Sequence, residues 1–310
     1  MYPDSYIPQR LVKHFRGELT AQEHLGFVVG TDFSFGETFD YPFYLRSCAK
    51  PLQASLIIDE NLDFTSEEIA ICCASHAGED CHVELAKQLL NKVGIDENKL
   101  RCGIHAPISK TANENLIKKG QEPTVFHNNC VGKHIMMLAI CKKYGWDLDT
   151  YDQLEHPVQQ LIKEKIYDLC EIEEDYPTTK DGCGVPIFSM PLKNMLKGYL
   201  HLLISTKYEK IRDAFRQNPY IIGGENRLDT KIMQNSNNLI AKVGAGGLCI
   251  VINLEHADGI VVKILDCDMQ AREIATLSMI KKLNWANIPF ETDIKTIHGD
   301  VVGLMKFVGV

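Results

Sequence analysis

Residues 247–266, GLCIVINLEHADGIVVKILD, hold two apolar runs around Asp258-Gly259. That pattern predicts a β-hairpin near the C-terminus. Residues 25–36, LGFVVGTDFSFG, predict a shorter, glycine-punctuated hairpin near the N-terminus. Between them the period changes, and residues from about 52 to 215 read mostly as helix. Thr65-Ser66-Glu67-Glu68 has capping-box form ahead of IAICCA. Val83, Ala86, Leu89, Leu90 and Val93 mark one face of a helix that stops at Gly94. VGKHIMMLAICKKYGW reads as another helix, and MQAREIATLSMIKKLNW as one that follows the C-terminal hairpin. Strands at both ends and helices between them point to an α/β chain. Its sheet domain would come from both termini, residues 1–50 and 220–310, with a mostly helical domain, 51–219, inserted. A cleft between the two is the expected site.

Charge and length narrow the function. The 310 residues suffice for about two domains. A net charge of −8 with no dense Lys/Arg run argues against a nucleic-acid partner. The apolar stretches fall well short of the roughly 18 residues a membrane span needs. The polar opening MYPDSYIPQRLVKHFRGEL lacks an apolar signal core, so a cytoplasmic location is expected. Eleven cysteines, an odd number without the density of a secreted framework, are expected to be mostly reduced.

The chemistry-bearing motifs begin at YLRSCAKPLQ. Ser47 and Lys50 are three residues apart, so in a helical first turn they share a face. A lysine there, its pKa lowered by burial or a neighbouring cation, can take the serine proton. Lys50 precedes Pro51, which disfavours a helical backbone at Lys50 unless the proline sits in a tolerant first turn. A second Ser-x-x-Lys, Ser278 to Lys281, lies within the C-terminal amphipathic pattern and reads as helix surface. Two more elements follow in order: Ser75 in CCASHAGEDCH, and Lys242-Val243-Gly244 directly before the hairpin. Ser-x-x-Lys, a middle serine and Lys-Thr-Gly before a strand form the set of class A β-lactamases and penicillin-binding proteins. Here Ser-Asp-Asn is missing and Val243 replaces the threonine.

The stretches LRSCAKPLQ, SHAGEDCHVE, LRCGIHAP, NNCVGKHIMML, HPVQQLI, DGCGVPIFSMPL, GGENRLDTKIM and AKVGAGG run in order from about residue 40 to 250. With them the chain resembles the thermolabile, Rhizobium-type L-asparaginases, which are related in fold to serine β-lactamases and serine-lysine glutaminases. The resemblance implies a β-lactamase/transpeptidase-like fold, hydrolysis of L-asparagine to L-aspartate and ammonia, and a homodimer. It also implies two serine-lysine pairs at the site, Ser47 with Lys50 and Ser75 with Lys242. In the related motif KVGAEG an acid stands where this chain has Gly246. That acid could steady Lys242 or a substrate ammonium; alternatively, Gly246 serves only a tight turn.

HNNCVGKH and DGC raise a metal question. His127, Cys130, His134 and Cys183 read on their own as a zinc pattern, or as a buried cysteine beside a helix start. The resemblance instead implies zinc on Cys130, Lys133 and Cys183. No organic cofactor is expected. A free amino-acid substrate needs a cation for its carboxylate and an acid for its ammonium. Arg46 and Asp181 are the candidates, against readings as a surface ion pair and a turn-former. His76 and His82 read as structural, Gly78 as a turn, Cys72 and Cys73 as core. Competing functions are a glutaminase or penicillin-interacting serine hydrolase, and a zinc-stabilised binding protein with a decayed site.

Overall fold

The computed structural model describes residues 6–309; the first five residues of the polar opening lie outside the described residues. The chain opens with strands β1 (Gln9–Arg16), β2 (Leu19–Gly30), β3 (Ser34–Phe35) and β4 (Phe43–Tyr44). Helices α1 (Ala49–Asp59), α2 (Ser66–Cys73), α3 (Asp80–Val93), α4 (Lys110–Lys118), α5 (Val131–Tyr144) and α6 (Pro157–Leu169) follow. After the short strands β5 (Thr178–Lys180) and β6 (Pro186–Met190) come α7 (Leu192–Ile204), α8 (Glu209–Gln217), α9 (Pro219–Ile222) and α10 (Leu228–Gln234). The chain ends with β7 (Leu239–Gly244), β8 (Leu248–Asn253), β9 (Asp258–Ile264), α11 (Met269–Lys282), β10 (Asp293–Lys295) and β11 (Val301–Phe307).

The eight-stranded sheet runs β10-β11-β1-β2-β9-β8-β7, with β3 also paired to β2. Every pairing in it is antiparallel, and its strands come from both ends of the sequence. The expected α/β architecture is therefore present. Strands β7 and β8 are buried along their whole length. On β7, Leu239, Ala241 and Val243 join the apolar layer that includes Ile274 and Ile280 of α11. Ile240 joins the core shared with α1, α2, α3, α5, α6, α7 and α8. Side chains alternate along a strand, so Lys242 takes the Ile240 face, toward the helices.

Local sequence explains most boundaries. Thr65 caps α2 with the complete capping box, and Glu68 bonds back to the Thr65 N–H at 2.7 Å. Helices α3 and α5 both stop at glycines in the left-handed region, Gly94 and Gly145. Helix α5 crosses α2 with backbones in contact. A Cβ on Gly132 would stand 2.0 Å from the Ile71 carbonyl oxygen. Pro51 falls in the first turn of α1, where its missing N–H would have no intrahelical partner anyway.

One expectation needs correction. Asp258 pairs with Asn253 and opens β9, so the turn is Leu254–Ala257 rather than Asp258-Gly259. The left-handed residue there is Ala257, at φ 49°. The middle of the chain is mostly helical, as expected, with short strands set into it. Strands β4, β6 and β5 form a separate three-stranded sheet. Its members are two to five residues long, too short to show a period.

Candidate active site

Arg46, Ser47 and Cys48 form a 3-10 turn that runs straight into α1. Arg46 sits at φ 48°, a conformation a long side chain adopts at a cost. Among the described residues the Ser47 N–H has no backbone acceptor, so it is free to meet a developing negative charge. Ser47 is buried and accepts a 3.2 Å hydrogen bond from Ser75 Oγ. The two serines expected at the site are thus in contact, brought together by α1 and the segment that leaves α2.

Lys50 lies fully buried one turn on. Its Nζ donates to the Ala74 carbonyl at 2.6 Å and the Asn129 carbonyl at 2.8 Å. Among the described residues it has no hydrogen bond to either serine and no carboxylate partner. Burial lowers its pKa to about 8, with Lys133 and Lys242 adding to the effect and the Cys130 thiol opposing it. With two N–H groups on carbonyls, the remaining position of the amine is a third N–H when charged and a lone pair when neutral. Lys50 is therefore built to exist in both forms near neutral pH.

Lys242 is placed differently. It is also fully buried, but its Nζ lies 3.4 Å from Asp229 Oδ2 and donates to the Val243 carbonyl at 2.8 Å. Asp229, on α10, is equally buried and also accepts from the Val243 N–H at 3.3 Å. The reading of the sequence missed Asp229. A signal existed, because Asp229 stands beside Leu228, Ile232 and Met233 on a short helix packed against β7. The acid expected at position 246 in the family pattern is not needed to neutralise Lys242. Gly246 sits in the β7–β8 turn at φ 73° with open space where a Cβ would be. The turn reading is the one this geometry fits.

Arg46 Nε and Asp181 Oδ1 form an ion pair at 2.8 Å, and Asp181 Oδ2 lies 3.6 Å from Lys133 Nζ. Burial works against the Asp181 carboxylate, but Lys133 and Arg46 hold its pKa below the usual range. Arg46 remains partly open to solvent. The thiols of Cys130 and Cys183 lie beside them; with an Asp181 oxygen, their ligand atoms all fall within 4.8 Å of one another. The neighbouring Cys130 thiol is the main cause that lowers Cys183 to about 5, aided by Lys133 against burial, while the Cys130 S–H donates to Asn129 Oδ1 at 3.1 Å. Cys130 is pushed up to about 12 by the Cys183 sulfur and by burial. Burial alone would lower Lys133, but the charges of Cys183, Cys130 and Asp181 outweigh it and raise its pKa. Two thiols and a carboxylate with their ligand atoms this close could hold a metal ion, while Lys133 beside them is held as the ammonium.

The alternative four-residue zinc pattern is not assembled. His127 Nδ1 accepts from the Thr124 N–H at 2.9 Å, and His134 Nδ1 meets Tyr151 OH at 2.7 Å. His76 and His82 stack at 4.9 Å, with their Nδ1 atoms accepting from the backbone of Gly78 and Glu79. Cys72 and Cys73 are fully buried in the core. Gly78 turns the chain at φ 77°.

The fold and site thus define an α/β protein with two touching serines among three buried lysines. Residues 12–305 match the family model described as L-asparaginase II, and the chain belongs to that family. It is an amidohydrolase. No curated protein matches the chain significantly. Among solved structures it is similar to a β-lactamase from Mycobacterium bovis, with 12% identity, 83% of this chain and 94% of that one covered, and a TM-score of 0.43. It is also similar to a D-alanine carboxypeptidase from Burkholderia cenocepacia, with 13% identity, coverage of 89% and 94%, and a TM-score of 0.41. No described helix is long and apolar enough to cross a membrane.

The Lys242–Asp229 pair makes a direct prediction. Asp229→Asn leaves a buried ammonium without its acid and should cost about 3–5 kcal/mol of stability. Asp229→Asn with Lys242→Met should recover much of that loss. Denaturant unfolding of the three proteins checks it, and equal stability of the single and double variants would refute the pairing.

Proposed function

We propose that this L-asparaginase works by serine-lysine nucleophilic catalysis, with Ser47 as nucleophile and Lys50 as its base. The observation that carries this reading is the contrast between the lysines. Lys50 rests on two carbonyls with its pKa lowered to about 8, whereas Lys242 is paired with a buried carboxylate. Only the first is poised to accept a proton. In the reaction Lys50 takes the Ser47 proton, directly or through Ser75, as the catalytic contacts tighten on substrate binding. Ser47 Oγ then attacks the side-chain amide carbon, and the Ser47 N–H is a donor for the oxyanion. The amide nitrogen leaves as ammonia with a proton returned from Lys50. Water then releases aspartate. Lys242 stays paired with Asp229.

Substrate recognition follows from the Arg46–Asp181 pair. An amino acid carries the complementary charges, so its carboxylate can take Arg46 and its ammonium Asp181. Cys130, Lys133 and Cys183 are the residues that would hold zinc, with Lys133 neutral in the bound state. The ion would supply positive charge next to the substrate subsite. This reading places the site between a sheet part, residues 1–50 and 220–310, and a helical part, 51–219. It goes with a cytoplasmic homodimer, supported by the acidic composition and by the family resemblance.

Ser47→Ala and Lys50→Met should each reduce kcat/KM for asparagine by at least about a hundredfold. In the wild type the active form carries neutral Lys50. The rate should therefore climb about tenfold per pH unit below pH 8 and level above it. Ammonia release measured from pH 6 to about 9.5 reads both. Near-normal turnover in either variant, or a rate that falls as pH rises toward 8, would remove the assignment.

Cys130→Ser and Cys183→Ser should each abolish stoichiometric zinc, since a site with three protein ligands rarely survives loss of one thiolate. Elemental analysis of the purified proteins decides it. Full zinc in either variant, or none in the wild type, counts against the site.

A further inference from the structure

None of the residues placed at the site comes from the stretch LRCGIHAP, residues 100–107, yet it lies against them. It runs without helix or strand to Ser109, which caps α4, and Gly103 turns it at φ 78°. Three hydrogen bonds tie it to residues 128–130, the entry to α5. Asn128 Nδ2 donates to the Cys102 carbonyl at 2.7 Å and to the Gly103 carbonyl at 3.1 Å. The Asn129 N–H donates to His105 Nε2 at 3.2 Å. The carbonyl of the same Asn129 is one of the two acceptors of Lys50. A single residue therefore stands between the His105 ring and the proposed base.

The partners of His105 define its tautomer. Nδ1 meets the Ala106 carbonyl at 2.6 Å, and a carbonyl only accepts, so Nδ1 carries the proton and Nε2 is the acceptor. Among the described residues the Asn129 N–H has no other acceptor. Four other histidines accept a backbone N–H, but locally: His76 from Gly78, His82 from Glu79, His127 from Thr124 and His156 from Val158. Those bonds span two or three residues and shape a turn. The bond to His105 spans twenty-four residues and fixes one segment against another. His105 is half-buried and belongs to neither apolar cluster, so its contribution is this bond rather than core packing.

We propose that His105 is a positioning residue for Lys50. By holding the Asn129 N–H it fixes the backbone of Asn129, and with it the direction of the carbonyl that receives the amine. A base must lie within hydrogen-bond reach of the proton it takes. The remaining position of the Lys50 amine is aimed only while its other two rest on the Ala74 and Asn129 carbonyls. Ala74 follows directly on α2, whereas Asn129 lies in the turn before α5, and the His105 ring braces that turn. This inference rests on the serine-lysine reading.

Steady-state kinetics of the full chain on asparagine tests it. His105→Leu removes the acceptor and should lower kcat at least about tenfold, as expected for a misplaced catalytic group. KM should stay within about twofold, because the charged ends of the substrate meet Arg46 and Asp181 instead. His105→Gln can set its amide oxygen where Nε2 stands and should keep kcat within about threefold of the wild type. Lys50→Met separates positioning from general damage: once the base is gone, adding His105→Leu should slow the remaining turnover less than about twofold. Nitrogen-15 NMR of the wild type reads the geometry without any substitution, with His105 Nδ1 protonated and Nε2 bare. Near-normal kcat in His105→Leu, an equal loss in His105→Gln, a full further loss on top of Lys50→Met, or the opposite tautomer would each overturn the proposal and leave the serine-lysine reading standing. Normal turnover in Lys50→Met would instead remove that reading, and this inference with it.

Discussion

The buried amine of Lys50 ties the site together. It starts on α1, three residues after Ser47, and ends on the carbonyls of Ala74 and Asn129. Ala74 precedes Ser75, and Asn129 precedes Cys130. A single side chain therefore fixes the nucleophile turn, the second serine and the loop of the candidate metal ligands against each other. It does so with neutral acceptors. A carboxylate in that place would have held the lysine charged. The choice of acceptor sets the chemistry.

Three buried lysines make the point by comparison. Lys50, Lys133 and Lys242 share one residue type and nearly complete burial. Their partners differ: carbonyls for Lys50, Asp181 and the two thiols for Lys133, Asp229 for Lys242. Burial pushes Lys50 toward the neutral amine, and at Lys133 the nearby negative charges outweigh that push. The sequence motif names a lysine, but the groups packed around it decide what that lysine can do.

Much of this was legible in the sequence. Period and caps located α2, α3, α5 and α11, and Ser47 and Ser75 share a hydrogen bond, with Lys50 on the carbonyl of the residue before Ser75. The missed features have physical reasons. Strands β5 and β6 are too short to show alternation. Asp229 lies thirteen residues before Lys242, and only the packing of α10 on β7 joins them. The carbonyls that hold Lys50 belong to backbone, so no residue type announces them. The positive φ of Arg46 has no glycine to mark it. His127 and His134 misled in the other direction, since their spacing suggested ligands while their rings serve Thr124 and Tyr151.

Ser47, rather than its hydrogen-bonded neighbour Ser75, is proposed to carry the acyl group. Mixing enzyme with excess asparagine, quenching in acid within one turnover and mapping the digested protein by mass spectrometry tests this directly. The account predicts an aspartyl ester on the peptide that contains Ser47. An adduct on the peptide of Ser75, or full turnover with no adduct on either serine, would contradict it.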